Sequence, residues 1–378
     1  MTSGQSLTSI EICAGAGGQA VGLHEAGFRH LALVEIDTHA AATLKLNVVE
    51  QERWGEEEAK ECQILTMDVK EFDPPGDGDL TLLAGGVPCP PFSVAGRQLG
   101  EDDERDLFPE MLRLVNRLKP RAVMIENVAG LVKPFDKFQS YRERIKKVLR
   151  SEGYVVCGWR LLEAADYGVP QLRPRAILVA IRKDCYRGFE WPKPSGEVKT
   201  VADALKVSME RRFEKVGRRK GYDEWLKKAS DAGTVAPTLV GGSKKHGGAD
   251  LGPTRAKKAW AALGVNGMGV ANDESDVNIA RDLGNMDLEI GPEEKRVGPM
   301  LTVEQAAIIQ GFPADWRFSG RKTAQYRQIG NAFPPPVAKA VGLAIKAALE
   351  RTGDLLEAPD GDLELDGTTC ASDRDTLI

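Results

Sequence analysis

The segment Leu7–Glu35, LTSIEICAGAGGQAVGLHEAGFRHLALVE, decides the fold of this chain. It begins with a short apolar run, Leu7–Cys13, and continues through a glycine-rich turn into an apolar-periodic stretch, Gln19–Ala26. A second apolar run, His30–Glu35, ends it. This order predicts a strand, a helix and a second strand, which is the repeating unit of an α/β domain with a mostly parallel sheet.

The same alternation continues to about residue 185. Further strands are predicted at Leu80–Leu83, Ala122–Ile125, Tyr154–Leu162 and Arg175–Ile181, and helices from Thr38 and over Phe108–Leu118, Phe138–Glu152, Met300–Gln310 and Val337–Glu350. Residues 186–298 are instead rich in Gly, Pro, Lys and Arg and have weak periodicity. The sequence therefore predicts one domain from residues 1–185 and 300–350, a second from 186–299, and a disordered acidic tail at 351–378.

Composition excludes several classes of protein. At 378 residues the chain is long enough for more than one domain. It has no apolar run long enough to span a membrane and no signal peptide. Its six cysteines form no Cys-x-x-Cys pair, and there are only four histidines. We therefore expect neither a disulfide scaffold nor a metal site, and a reducing cytosol fits.

Taken as a single number, the net charge of −5 argues against a nucleic-acid partner. The distribution of charge along the chain does not. Residues 350–378 hold nine acids and two bases, a net charge of −7, so residues 1–349 carry +2. Two more acidic clusters lie at Glu50–Glu61 and Glu101–Asp106. The rest of the chain is therefore basic, as a nucleic-acid-binding surface requires.

Three features at strand ends predict a pocket for a nucleoside cofactor. Gly15, Gly17 and Gly18 form a turn between a strand and a helix, where backbone can approach a ligand. Glu35 follows about 20 residues later, where Rossmann-like sites place an acid that binds ribose hydroxyls. Asp68 ends a third strand-like segment and could meet a base edge. Taken singly, either acid could equally be a solvated strand end.

A second group of residues predicts covalent chemistry. Cys89 follows a buried strand and lies between Pro88 and Pro90, which suits a positioned nucleophile better than a core thiol. Glu126 ends another strand and could lie beside it. Arg173 and Arg175 alternate along an extended segment, so they share one face and could bind an anion or a base edge. Each feature alone is more often structural than catalytic.

The order of these motifs resembles the prokaryotic DNA (cytosine-5) methyltransferases. The matching stretches are Glu11–Gly18, Pro88-Cys89, Ser93–Arg97, Glu126-Asn127-Val128, Ala164–Pro170, Gln171-Leu-Arg173-Pro-Arg175, Gln310–Pro313 and Gln328–Ala332. They cover residues 7–185 and 300–345. The chain departs from the family at Cys13, where an aromatic residue is usual, and at Glu11, where Asp is usual.

The resemblance implies a fold and a set of roles. The fold is a Rossmann-like methyltransferase sheet, mixed but mostly parallel, with helices on both faces and a smaller, irregular target-recognition domain. Cys89 attacks C6 of a flipped-out cytosine, Glu126 binds N3, and Arg173 and Arg175 support the base. S-adenosyl-L-methionine is the implied cofactor. Its binding residues are Cys13, Ala14, Gly15, Gly17, Gly18, Glu35, Ile36, Asp68, Val69, Pro88, Asn331 and Ala332.

Residues 186–299 take the place of the family's target-recognition domain. Lys206–Lys228 holds nine bases and four acids, and Ser243–Lys258 holds five bases and one acid. Such clusters bind phosphates, although the first of them could instead be a solvated helix. The expected DNA-binding residues are Ser93, Arg97, Lys244, Lys245 and Arg255.

Two alternatives remain open from the sequence: a tRNA cytosine-C5 methyltransferase of the same fold, and a non-catalytic DNA-binding regulator. The long basic segment favours duplex DNA over tRNA, and the complete set of motif residues argues against the regulator. We expect a monomer that acts on double-stranded DNA in the prokaryotic cytoplasm, associated with the nucleoid. A restriction endonuclease is the expected functional, not physical, partner.

Overall fold

The computed structural model describes residues 6–75, 79–88, 106–241, 249–272, 275–285 and 297–356. The strands are β1 (Leu7–Ile12), β2 (Phe28–Glu35), β3 (Gln63–Thr66), β4 (Leu82–Gly85), β5 (Ala122–Val128), β6 (Tyr154–Glu163) and β7 (Pro174–Arg182). The α-helices are α1 (Gly18–Glu25), α2 (Thr38–Leu44), α3 (Glu56–Glu61), α4 (Phe108–Leu118), α5 (Gln139–Ser151), α6 (Val201–Lys215), α7 (Arg219–Ala232), α8 (Thr254–Ala262), α9 (Asp276–Asp282), α10 (Val303–Gln310), α11 (Lys322–Asn331) and α12 (Pro335–Glu350). None of these helices is long and apolar enough to cross a membrane.

The seven strands form one sheet in the order β3-β2-β1-β4-β5-β7-β6. The first five strands pair in parallel, whereas β7 runs antiparallel to both β5 and β6. The predicted mixed, mostly parallel sheet is confirmed. Strand order reverses beside β1, because β2 follows it on one side and β4 lies on the other. In open α/β sheets, ligands bind beyond the carboxyl ends of the strands at such a switch point.

The strands that carry the predicted chemistry are continuous apolar runs. Ala122–Ile125 of β5 is fully buried, as is typical of a strand covered on both faces. The α4 helix connects β4 to β5, with the bounds that its periodicity predicts. Its buried residues recur three and four positions apart, so one face packs into the core: Phe108, Met111, Leu114, Val115 and Leu118.

The chain divides into two compact units by its internal contacts. The first comprises the described residues of Met1–Glu163, Pro174–Lys193 and Val337–Arg374, and holds the whole sheet. The second comprises the described residues of Ala164–Arg173 and Pro194–Pro336, and holds α6 to α11. The boundaries of these two units fall at different residues from those of the two domains predicted from the sequence. The predicted domains stay a prediction.

The stretch 186–298 is more regular than its weak periodicity predicts. The sequence predicts an irregular domain here, but the described residues of this stretch include the four helices α6 to α9. Leu205, Met209 and Phe213 recur every four residues on α6 and are buried. Gly217, with a φ of 68°, separates α6 from α7. Many charged residues lie between these apolar positions, and they conceal the helical pattern in the sequence.

The first residues of the predicted disordered tail have defined contacts. Within residues 351–356, the Leu356 amide donates to the Tyr186 carbonyl at 3.2 Å. The Arg187 guanidinium donates to the Gly353 carbonyl at 2.9 Å. Both contacts lie inside the first unit. The remaining tail, 357–378, lies outside the described residues, so the prediction of disorder there stays a prediction.

A buried polar network around His30 ties α1, β2 and α3 together. The His30 ring is fully buried, contacts the Ser9 hydroxyl and lies 2.9 Å from the Ala20 carbonyl. Its backbone amide donates to the Glu58 carboxylate at 2.7 Å. Burial lowers the pKa of His30 to about 4, although the Ala20 carbonyl and Glu58 oppose the shift. The folded protein therefore holds a neutral imidazole at this position.

This pKa predicts how stability depends on pH. Neutral His30 makes its full contribution to the free energy of unfolding above the ordinary pKa of about 6.5. This contribution is lost as pH falls toward 4, because in that range the unfolded chain binds a proton at this histidine and the folded chain does not. The loss is on the order of 3 kcal/mol. His30→Gln is expected to flatten the fall of the melting temperature between pH 6.5 and 4. His39→Gln, at an exposed position on α2, is the control and should keep the wild-type slope.

Candidate active site

The glycine-rich turn after β1 has three residues with a left-handed backbone. Cys13, Gly15 and Gly17 have φ angles of 52°, 55° and 89°. Such angles suit glycine, whereas at Cys13 the Cβ crowds the backbone. Among the described residues, no atom lies within 4 Å of where a Cβ on Gly15 would be. The turn therefore leaves open space at the carboxyl end of β1.

Glu35, at the end of β2, is bound to this turn. One carboxylate oxygen accepts the Gly15 amide and the other accepts the Asp37 amide, each at 2.7 Å. Burial raises the pKa of Glu35, and these amide donors oppose the shift. Each oxygen keeps capacity for a further donor such as a hydroxyl. The next residue, Ile36, is an exposed apolar side chain, with 66% of its surface accessible.

Asp68 and Val69 follow β3 at the same edge of the sheet. The Asp68 carboxylate accepts the Lys70 amide at 3.0 Å and caps a short 3-10 helix, Val69–Glu71. Val69 is buried. The Met67 amide donates to the Glu35 carbonyl at 3.2 Å, so this segment is attached to the end of β2. Asp68 has a structural role as a cap, and the residue is half-buried.

The second cluster is centred on Glu126 in β5. Its carboxylate accepts the Nε of Arg175, in β7, at 2.8 Å, and both side chains are largely buried. Gly86 packs against the other oxygen, because a Cβ on Gly86 would lie 3.0 Å from Oε2. The carboxylate is therefore held by a charged donor on one side and by backbone on the other.

Asn127 is a site residue that we did not single out from the sequence. Its side-chain amide is buried and donates to the Val87 carbonyl at 2.8 Å. The exposed Pro88 follows, and its carbonyl accepts the Leu107 amide at 3.2 Å. The residues immediately before Cys89 are thus attached to the end of β5. The available signal was a polar residue at the end of an otherwise apolar strand.

Glu11 stands out in the sequence only because the family usually has Asp there, and the sequence predicts no role for it. It lies in the middle of the sheet on β1 and is 1% exposed. Burial raises its pKa well above the usual range for a carboxyl group, and the charges of Glu35 and Glu126 raise it further, while a hydrogen bond with Gln19 opposes them. These effects favour a neutral acid at Glu11 between two ionisable carboxylates.

The remaining described site residues lie in the second unit. Arg173 is 1% exposed, and its guanidinium donates to the carbonyls of Leu239 and Gly330 at 2.7 Å each. Asn331 is the exposed last residue of α11, and Ala332 follows it. Arg255 is exposed near the start of α8. The predicted roles of Arg173 in supporting the base, of Arg255 in DNA binding, and of Asn331 and Ala332 in cofactor binding stay predictions.

Five predicted site residues lie outside the described residues: Cys89, Ser93, Arg97, Lys244 and Lys245. Their roles stay predictions. Within the part of the chain that the structure describes, no three His, Cys, Asp or Glu side chains are grouped so that they could hold a metal ion.

Comparison with known proteins identifies the family. The sequence profile of the C-5 cytosine-specific DNA methylases matches residues 7–347. The chain belongs to this family. It is 50% identical over 355 residues to the Type II methyltransferase M.NaeI of Lentzea aerocolonigenes, covering 93% of this chain and 77% of that protein. It is 44% identical over 349 residues to the Type II methyltransferase M.NgoMIV of Neisseria gonorrhoeae, covering 91% of this chain and 99% of the other.

Solved structures support the fold. The Entamoeba histolytica methyltransferase EhMeth aligns with a TM-score of 0.59 at 14% identity, over 92% of this chain and all of that one. A Spodoptera frugiperda DNMT2 mutant aligns with a TM-score of 0.57 at 18% identity, over 90% of this chain and 99% of that one. At such low identity these likenesses concern the fold alone.

Family membership confirms the predicted activity: the protein is a DNA (cytosine-5) methyltransferase. This activity implies a methyl donor and a DNA substrate. The alternatives of a tRNA methyltransferase and a non-catalytic regulator are not favoured.

The contact between Gly86 and Glu126 predicts a kinetic defect. Gly86→Ala is expected to lower kcat for DNA methylation by roughly 10- to 100-fold, because the new methyl group displaces the carboxylate. Gly130→Ala is the matched control, since its Cβ meets no described atom within 4 Å. Steady-state kinetics and melting temperatures measure both variants. Equal kcat values for the two variants would show that the position of Glu126 does not limit catalysis.

Proposed function

We propose that this enzyme methylates C5 of cytosine within a specific sequence of double-stranded DNA, with S-adenosylmethionine as the donor. The observation that carries the proposal is the Glu126 carboxylate held by Arg175 at 2.8 Å beside Gly86. A carboxyl group oriented in this way can deliver a proton to N3 of a cytosine, which has a lone pair and no hydrogen in the neutral base. Because that atom is paired in duplex DNA, the base must first leave the stack.

The residues around β1 and β2 fit S-adenosylmethionine. Both oxygens of Glu35 can accept ribose hydroxyls in addition to their amide donors. The exposed side chain of Ile36 offers an apolar surface to the adenine ring. The open space beside Gly15 allows the ligand to approach the backbone. When bound, the cofactor supplies an electrophilic methyl group.

The proposed cofactor-binding residues also include Asn331 and Ala332, which lie in the second unit. Seven further ones lie at the carboxyl ends of neighbouring strands. They are Cys13, Ala14, Gly17 and Gly18 in the turn after β1, Asp68 and Val69 after β3, and Pro88 after β4. All of them lie in the first unit. Their assignment as ligands rests on the family's motifs, and their shared position at the carboxyl ends of neighbouring strands supports it.

Cys89 is the proposed nucleophile. Addition of its thiolate to C6 forms a carbon–sulfur bond and converts C5 into an enamine-like carbon that can accept a methyl group. Glu126 stabilises this adduct through N3, and Arg175 fixes the orientation of Glu126. Once C5 carries the methyl group, a water molecule takes the C5 proton. The C5–H electron pair re-forms the C5–C6 double bond, and the carbon–sulfur bond breaks to release the Cys89 thiolate. Asn127 positions the backbone from which Cys89 follows.

The contacts of the first basic stretch favour the second as the DNA-binding surface. On α6 and α7, Arg219 pairs with Glu210, Glu214 and Asp223 at 2.6, 3.3 and 3.2 Å. Arg211 pairs with Glu304 at 2.6 Å. These ion pairs support the interpretation of Lys206–Lys228 as solvated helices. Ser243–Lys258, with Lys244, Lys245 and the exposed Arg255, is the better candidate for phosphate contacts, together with Ser93 and Arg97.

The relatives supply the biological setting of the proposal. M.NaeI and M.NgoMIV are Type II methyltransferases. By analogy, this enzyme protects host DNA from a restriction endonuclease of the same specificity, without binding that endonuclease. We propose that it acts as a monomer on nucleoid DNA in the prokaryotic cytoplasm.

The role of Cys89 can be tested by trapping. Cys89→Ala is expected to abolish methyl transfer from labelled S-adenosylmethionine to DNA while calorimetry still detects cofactor binding, because the nucleophile alone is removed. The wild-type enzyme is expected to form a covalent adduct with DNA that contains 5-fluorocytosine, since fluorine replaces the proton that must leave.

Cys185→Ala is the matched control, because Cys185 is a half-buried free thiol away from the proposed site. It should retain both activity and adduct formation. Bisulfite sequencing of a plasmid exposed to the wild-type enzyme supplies the target sequence for the fluorinated DNA. Full activity of Cys89→Ala, or an active wild type that leaves no adduct, would overturn the mechanism.

The role of Glu35 can be tested by isosteric substitution. Glu35→Gln replaces an acceptor oxygen by a donor, so it should raise the KM for S-adenosylmethionine about tenfold, the size expected for one lost hydrogen bond to a charged group. The KM for DNA should remain unchanged. Glu25→Gln, an exposed carboxyl at the end of α1, is the control. An unchanged affinity for the cofactor in Glu35→Gln would remove this residue from the pocket.

A further inference from the structure

Segment 238–241 in the second unit is attached to the residues that lead into β7. The Thr238 hydroxyl donates to the Leu172 carbonyl at 2.5 Å, and the Leu239 amide donates to the Gln171 side chain at 2.9 Å. Leu239 is fully buried. The backbone of this segment is therefore fixed by side-chain contacts although it belongs to no helix or strand.

Arg173 connects this segment to the end of α11. One arm of its guanidinium donates to the Leu239 carbonyl and the other to the Gly330 carbonyl. A planar guanidinium presents its donors in a fixed geometry, so the two carbonyls are held at a defined separation. Arg173 is almost completely buried, and leaving either carbonyl without a donor would be costly.

Gln171 extends the same network to α10. Its side-chain amide donates to the Ile309 carbonyl at 3.0 Å and to the Gln310 side chain at 2.7 Å. Gln310 in turn donates to the Ala332 carbonyl. These residues, with Arg173 and Leu239, form what we call the Arg173 cluster. It fixes segment 238–241 against two helices.

Backbone packing completes the attachment. A Cβ on Gly330 would lie 2.6 Å from the backbone of Gly241, so the two glycines are in direct contact. Between Leu239 and Gly241 lies Val240. A Cβ on Gly252 would lie 3.2 Å from the Val240 side chain and 3.4 Å from Ala256, so Val240 packs beside the start of α8. This is the helix that carries Arg255.

We propose that Gln171 and Arg173 are positioning residues for target recognition, which act through Leu239 and Val240 to hold the start of α8. This inference rests on the proposed function, in which Arg255 and its neighbours contact DNA phosphates. Such contacts fix the register and orientation of the protein on the duplex, from which neighbouring side chains read the base edges. Base readout needs side chains placed within a fraction of an ångström. A displaced α8 would therefore weaken discrimination between target sequences while the chemistry of methyl transfer continues.

The experiment compares matched pairs of variants. Arg173→Lys keeps the charge but loses the planar guanidinium that spans the two carbonyls. Val240→Ala removes packing at an exposed position. The control for the first is Arg212→Lys. Arg212 is a buried arginine on α6 that donates to the Met300 carbonyl and to Gln305 at 2.8 and 2.9 Å. The control for the second is Val207→Ala, an exposed valine on α6.

The measured quantity is a specificity ratio. It is kcat/KM for a duplex with the site that wild-type enzyme methylates in bisulfite sequencing, divided by kcat/KM for the same duplex with one base pair changed. Arg173→Lys and Val240→Ala are expected to lower this ratio about tenfold, the size of one weakened base contact. The control variants should keep the wild-type ratio, even where melting temperature or total activity falls.

A purely structural role predicts a different result, since fewer folded molecules lower both kcat/KM values equally. An unchanged ratio in Arg173→Lys and Val240→Ala would overturn the inference and leave the proposed function intact. Absence of any protected cytosine with the wild-type enzyme would instead overturn the proposed function, and this inference with it.

Discussion

The pairing of Glu126 with Arg175 is the interaction on which the candidate active site depends. Arg175 is near the beginning of β7, and Glu126 is near the end of β5. The two side chains can meet because β7 runs antiparallel to β5, with Val128 opposite Arg175. A parallel strand would begin at the opposite edge of the sheet. Because β7 alone runs against the other strands, it places the Arg175 guanidinium at the edge of the sheet where β5 ends and where the glycine-rich turn lies.

The same edge accumulates negative charge, and each carboxylate there is accommodated differently. Glu126 has the guanidinium of Arg175, and Glu35 has two backbone amides. Glu11 lies deeper, and its raised pKa favours the neutral acid. Three ionised carboxylates so close together would repel one another in a poorly solvated region. Different partners thus accommodate the three carboxyl groups at one edge of the sheet.

Much of the fold follows from the sequence because its strands are continuous apolar runs and α4 has a clean helical period. The helices α6 to α9 could not be predicted from the sequence, because charged residues interrupt their apolar positions. Many of those charged residues form ion pairs with one another, as Arg219 does with Glu210. The site is predicted in part. Motif order identifies Glu35 and Glu126 as candidates, but the partners that hold them come from distant segments. Asn127 and Glu11 become visible only when burial and contacts are known.

The Gln-x-Arg-x-Arg motif shows why spacing alone is insufficient. Two residues apart on an extended chain should share a face, yet β7 begins at Pro174, between the two arginines, and the boundary between the compact units falls there as well. Arg175 binds a carboxylate in the first unit, whereas Arg173 binds backbone carbonyls in the second. The carboxylate partner of Arg175 is a candidate reacting group, whereas the carbonyl partners of Arg173 are buried backbone. Identical side chains in one short motif therefore have different surroundings, because the partners of each arginine come from segments that the spacing of the motif does not reveal.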